Sequence, residues 1–238
     1  MEELWQREEF VSRLREVLEQ KYHHLHPYHL RMHKGELSPD EVRGWILNRF
    51  YYQKNIPVKD ALVLAKLPTR EDRRKWLQRI IDHDGRQGDE GGIEAWLRLG
   101  EAAGLSRQYI QDDAHILPGA RFAVDAYVNF CRLMPWREAV ASSLTEMVAP
   151  TLVGKRIGIM EEHYPWVKRE GLEYFRRRLE QAPRDAEHAL ELVIQSARSR
   201  EDQENAVAAL RFKCDVLWSL LDAVEHAYTR QGMKCPGN

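Results

Sequence analysis

Apolar side chains recur at helical spacing along almost the whole chain. Over residues 2–22 the pattern is amphipathic, with Phe10, Leu14 and Leu18 on one side. Ser38, Pro39, Asp40 and Glu41 form a capping-box pattern with proline at the first helical position. The helix they open is expected to kink or end at Pro57. Thr69 to Asp72 reads as a second start, for a helix that stops near Gly85. Further helical stretches cover 93–103, 121–133, 136–148, 166–181, 186–198 and 202–228. The last carries Leu210, Cys214, Leu217, Leu221 and Val224 on one stripe, with Lys213 at its flank. No segment alternates with period two for long enough to make a strand, and no internal repeat is visible. The glycine-rich stretch 85–92 lacks the lysine and the strand context of a phosphate loop, so it reads as a linker or lid. Short connections between amphipathic helices predict one all-α bundle, a single domain over 1–238 with a flexible tail at 229–238.

Polar residues interrupt the apolar faces at three places. Val42, Trp45 and Ile46 define one face, and Arg49 and Gln53 fall in its middle, one turn apart. Tyr174 and Arg178 do the same on the stripe of Val167 and Gly171, and Arg79 and His83 follow Trp76. A guanidinium without a partner is costly in a core, so each is expected to have an anionic partner inside. Three such pairs on three helices predict a buried pocket for a multiply charged anion. His83, flanked by Asp82 and Asp84, can shuttle protons if it titrates near its ordinary value of about 6.5. Glu146, beside Thr145, is an expensive core residue unless it faces those arginines. Five histidines crowd into one short run: His23, His24, His26, His29 and His33. A metal cluster is one reading. Surface and capping positions are the commoner one, and the run lacks the carboxylates of a di-iron bundle site.

Composition narrows the classes. The chain has 238 residues, 43% of them hydrophobic, enough for a substantial core. A formal net charge of −1 provides no general attraction to nucleic acid or to anionic membranes. Three cysteines without paired spacing argue against a disulfide framework and against zinc. No apolar run is long enough for a transmembrane helix, and the charged opening MEELWQREEF is no secretory signal. A soluble, cytoplasmic protein is therefore expected.

Several strings resemble the pyrroloquinoline-quinone (PQQ) synthase family: HPYHLRMHKGELSPDEVRGWILNRFYYQKNIPVKDA, RRKWLQRIIDHDG, GGIEAWLRLGEAAGLSR, LPGARFAVDAYVNF, SSLTE, HYPWVKREGLEYFRRRL and LRFKCDVLWSLLDA. The resemblance runs from about Tyr22 to Tyr228. It implies a compact seven-helix fold of the thiaminase and haem-oxygenase-like type, as a homodimer. It also implies an oxidase with no metal and no organic cofactor. Such an enzyme closes a ring in a bicyclic tricarboxylic quinone precursor, removes eight electrons, passes them to dioxygen and releases hydrogen peroxide and PQQ. Carried over by position, His83, Tyr174, Arg178, His23 and Tyr127 would be catalytic. Tyr22, Arg49, Gln53, Arg79, Thr145, Glu146, Arg156 and Lys213 would bind substrate. One position departs from the family pattern: Val153 stands where a histidine of the oxygen pocket is usual, so later oxidation steps are expected to slow or stall. The alternatives are a metal-dependent oxidase of the same fold, a thiaminase-like hydrolase using Cys131, and a non-turnover carrier for the finished quinone.

Overall fold

The computed structural model describes residues 3–235 and 237. Of the domain expected over 1–238 and the tail over 229–238, residues 1, 2, 236 and 238 lie outside the described set. Among the described residues eleven α-helices follow one another: α1 (Arg7–Lys21), α2 (Pro27–His33), α3 (Pro39–Leu64), α4 (Arg70–Asp84), α5 (Gly91–Ala102), α6 (Arg107–Gln111), α7 (Pro118–Leu133), α8 (Trp136–Ala141), α9 (Ala149–His163), α10 (Glu173–Ser196) and α11 (Arg200–Val224). Seven of them, α1, α3, α4, α7, α9, α10 and α11, have at least 15 residues. The all-α bundle expected from the sequence is what forms. Among the described residues there is no strand, and the only bridge outside strands joins Arg86 and Asp89 within the glycine-rich loop. No helix among them is long and apolar enough to cross a membrane.

The helix starts follow local chemistry. At α3 the Ser38 hydroxyl accepts the Glu41 N–H at 3.3 Å, and the Glu41 carboxylate accepts the Ser38 N–H at 2.7 Å. Thr69 accepts the Asp72 N–H at 3.0 Å to open α4. That helix ends at Gly85, whose φ of +86° suits glycine and where a Cβ would meet the Asp89 carbonyl at 2.5 Å.

Tertiary packing overrides the sequence pattern at several points. Pro57 does not end α3, which runs on to Leu64. Its missing N–H deprives only the Gln53 carbonyl of a helical donor, and buried residues continue on both sides of it, from Val42 to Gln53 before and from Lys59 to Val63 after. Likewise 166–181 and 186–198 are not two helices. A 3-10 turn, Arg169–Leu172, leads into α10, which continues through Pro183. The stretch 136–148 is α8 followed by a 3-10 turn, Ser142–Val148. α9 was invisible to the periodicity because it buries little beyond Arg156 and Met160. α11 passes into a π-helical turn, Glu225–Arg230. Within that turn Thr229 donates to Glu41 at 2.6 Å, and beyond it the Cys235 N–H donates to Asp40 at 3.2 Å, laying the tail along the start of α3.

Candidate active site

α3, α4, α9, α10, the 3-10 turn at 142–148 and the segment 22–33 surround a cavity of about 950 Å³, part of it open to solvent. Helical spacing delivers the side chains in pairs, as Arg49 and Gln53 from α3 and Tyr174 and Arg178 from α10. Also lining it are Tyr22, His23, His83, Thr145, Glu146, Val153 and Arg156. Arg79, Tyr127 and Lys213 do not line it and stand one layer behind. The Tyr174 hydroxyl donates to the Gln53 side-chain oxygen at 2.9 Å, tying α10 to α3. Its ring meets Trp96 edge-on, with centroids 4.8 Å apart.

One half of the pocket is charge-compensated. Glu146 accepts from Arg79 at 2.9 Å and from Arg178 at 3.2 Å. Asp185, 3% exposed, accepts from Arg178 at 3.4 Å with its carboxylate and from Arg79 with its main-chain oxygen. Burial opposes the Arg178 charge, but Glu146, Tyr174 and Asp185 outweigh it and raise its pKa. Asp185 is pushed up by burial and pulled down further by Arg79, Arg178 and Arg184, ending below the ordinary carboxylate value. His83 gives its Nδ1–H to the Arg79 carbonyl at 2.9 Å, leaving Nε2 free. Burial, followed by Arg178, pushes its pKa down to about 4, so it does not titrate near 6.5 and is neutral in the empty pocket.

The other half is cationic, and here the expectation of a partner for every core cation fails. Among the described residues no carboxylate lies within ion-pair distance of Arg49, Arg156 or Lys213, although each stands at or beside the pocket wall. The Arg49 guanidinium lies 4.0 Å from the Tyr52 ring centroid. Lys213 donates to the Tyr52 hydroxyl at 2.6 Å and sits 3.4 Å from the centroid of Tyr127. Arg156 has only the Met32 sulfur at 3.0 Å and the face of Trp45, and its Nε has no partner. Burial, then the neighbouring Arg49 and Lys59 charges, push Lys213 well below the ordinary lysine value. Arg156 comes down to about 10, by burial first, and remains a cation at neutral pH. His23 and His29 are also lowered well below the ordinary histidine value by burial, helped by Arg49 at the first and Arg156 at the second. Such a wall gains most from an anion that supplies the missing carboxylates.

The histidine run divides by role. His26 caps α2 by accepting the Tyr28 N–H at 3.1 Å. His24, His29 and His33 join His23 in the cavity wall, which the sequence reading did not foresee. Four imidazoles within eleven residues were the available signal. Among the described residues no three His, Cys, Asp or Glu side chains converge as a metal-ligand set. The Cys131 thiol is buried and its pKa is raised by that burial, which disfavours a nucleophilic thiolate. Val153 presents an apolar surface between Leu152 and Arg156. Tyr52, Trp45 and Asp185 were also missed. Trp45 counts only as part of an apolar face in the sequence, and neither Tyr52 nor Asp185 breaks a pattern there.

The profile of the TENA/THI-4/PQQC family matches residues 11–223. A pyrroloquinoline-quinone synthase of Pseudomonas aeruginosa is 53% identical over 223 residues, 93% of this chain and 88% of that protein. One of Klebsiella pneumoniae is 54% identical over 210 residues, 88% of this chain and 84% of that protein. Among solved structures, a TenA homologue from Pseudomonas syringae superposes with a TM-score of 0.69 at 14% identity, covering 94% of this chain and 97% of the other. A domain with a haem-oxygenase-like fold from Shewanella denitrificans gives 0.68 at 15% identity, covering 94% and 92%. At those identities the likeness is one of fold.

Proposed function

Since the chain belongs to the TENA/THI-4/PQQC family, we propose that it is the enzyme of PQQ biosynthesis that converts the bicyclic tricarboxylic precursor to the finished quinone. The observation that carries the reading is the cationic half of the cavity. Arg49 and Arg156 offer carboxylate-free charge to a substrate with three carboxylates, and Lys213 stands behind them as a base whose charged form a bound anion favours. A charge-assisted contact of this kind is worth roughly 1.5–3 kcal/mol.

Each remaining group has a task. His83, with Nδ1 fixed by the Arg79 carbonyl, uses Nε2 to take and return protons during ring closure. A bound polyanion favours its protonated form, bringing its pKa back towards the working range. His23 and Tyr127 assist proton movement in the cationic half. Tyr22, Gln53, Thr145 and Arg79 hold the substrate or its neighbours in place. Arg178 and Tyr174 face the reduced oxygen, where a fixed cation stabilises superoxide or peroxide charge. The precursor, once an electron-rich quinol, supplies the electrons itself. Dioxygen is the co-substrate, hydrogen peroxide the released product, and no metal or organic cofactor is assigned. A homodimer working in the cytoplasm completes the reading.

Val153 qualifies it. Valine neither donates a proton nor hydrogen-bonds to peroxide, so the later oxidation steps slow and a partly oxidised species accumulates. The same residue favours a second reading, a non-turnover binding protein for the quinone. Purified protein mixed with precursor, with and without air, separates these. Quinone and peroxide formed only in air support the synthase. A bound, ring-closed, partly reduced species that Val153→His carries on to quinone places the defect at Val153. Bound but unchanged precursor supports the carrier, and no binding at all refutes both.

A further inference from the structure

Two charged residues behind the compensated half of the pocket have no part in the chemistry just described. Asp185 follows Pro183 on α10, and neither it nor Arg184 lines the cavity. The Arg184 guanidinium donates to the Asp185 carboxylate through Nε at 3.1 Å and Nη2 at 2.7 Å. The same Nη2 also donates to Asp82 on α4, immediately before His83. Asp82 is held from its other side by Gln78 at 2.7 Å. Asp185 in turn holds Arg178 through its carboxylate and Arg79 through its main-chain oxygen. A continuous chain of charged hydrogen bonds therefore links the base of His83 on α4 to Arg178 on α10.

We infer that Asp185 and Arg184 are positioning residues, a clamp that keeps Arg178 and His83 in register across the cavity during turnover. The inference rests on the synthase reading above. Arg178 has two anionic partners, and they differ in kind. Glu146 lines the cavity and is 21% exposed in its side chain, so an incoming carboxylate or reduced oxygen competes with it directly. Asp185 is out of reach of the ligand. When Glu146 gives up its contact, Asp185 is the one anionic partner left, beside the neutral Gln181 side-chain oxygen at the same 3.4 Å, to keep the guanidinium from following the substrate carboxylates into the cationic half. Arg184 fixes Asp185 and fastens it to α4, so that the proton-handling group and the oxygen-facing cation move as one body. Misplacement of such groups by about 1 Å costs rate steeply while leaving remote binding contacts intact.

The clamp is tested with Arg184→Gln, Asp185→Asn and Arg184→Lys in the full-length enzyme. Nη2 reaches both Asp82 and Asp185, so a lysine Nζ, though shorter and without the Nε contact, keeps a single charged donor between the two carboxylates. Three quantities are measured: kcat for quinone formation in air, the Kd of the precursor by calorimetry without air, and the melting temperature. Arg184→Gln and Asp185→Asn should lower kcat about tenfold while Kd stays within about threefold, and Arg184→Lys should recover most of the rate. Arg184 is half exposed, so its variants fold even if Asp185→Asn does not. Unchanged kcat in Arg184→Gln, or kcat and Kd that worsen together without rescue by lysine, overturns the clamp. Wild-type enzyme that forms no quinone in air refutes the synthase reading, and the clamp's catalytic purpose with it. Wild-type turnover with unaffected variants refutes the clamp alone.

Discussion

His83 is buried at the end of α4, and the empty pocket holds its pKa at about 4 against an ordinary value of 6.5. The cause is burial first and the Arg178 cation second. The unfolded chain takes up this proton near 6.5, whereas the folded chain resists until about 4. Between those values the unfolded state binds more protons, so stability falls as pH drops through the window. The loss is complete below about 4 and amounts to about 3 kcal/mol. His23 and His29, lowered for the same reasons, act in the same direction. His83→Gln removes one of these titrations. Urea unfolding at pH 7 and pH 4.5 should show the variant losing less stability on acidification than the wild type. An equal loss in both proteins would mean that His83 does not carry the pH dependence.

Helix contacts fix where these side chains point, and some of those contacts depend on one atom. Gly44 on α3 lies under the Tyr228 ring, where an added Cβ would meet ring carbons at 2.4–2.5 Å. Alanine gains helix propensity of about 1 kcal/mol, but overpacking costs roughly 1–3, and a buried ring has little room to retreat. Gly44→Ala is therefore expected to destabilise by about 1–2 kcal/mol, read as a lower denaturation midpoint with unchanged slope. A midpoint at or above that of wild type would show that Tyr228 moves aside freely. The close approach is not written in the pattern around Gly44, and the same holds for other elements set by tertiary contact. Starts with a local cause were legible: Ser38 with Glu41, and Thr69 with Asp72. The passage of α3 through Pro57 and of α10 through Pro183 was not, because packing on neighbouring helices outweighs the lost donor. Arg49, Gln53, Tyr174 and Arg178 were legible as polar residues on apolar faces. Asp185 was hidden among charged neighbours, and the cavity role of His24, His29 and His33 depends on a fold of segment 22–33 that periodicity does not encode.

At the scale of the whole molecule the net charge of −1 says nothing about the pocket. Cations and carboxylates balance over the chain, yet the basic side chains of Arg49, Arg156 and Lys213 are gathered at one wall, and among the described residues no carboxylate lies within ion-pair distance of them. Their mutual repulsion and their burial are relieved together when an anion enters, and protonation must respond. Lys213 is held well below 10.5 by burial and then by Arg49 and Lys59. A bound tricarboxylate acts against those charges and raises the Lys213 pKa towards its ordinary value, so binding takes up protons. The histidines of the wall are all held below the ordinary value of about 6.5 in the empty protein, so above pH 8 Lys213 should contribute more of the uptake than they do. Calorimetry of precursor binding without air, in buffers of different ionisation enthalpy, reads the proton count directly. Net uptake at pH 8–9 is expected in the wild type and should largely vanish in Lys213→Met, with weaker binding. Proton release, or a heat independent of buffer, would mean that Lys213 keeps the same protonation state with and without ligand, and the coupling between its charge and anion binding would fall.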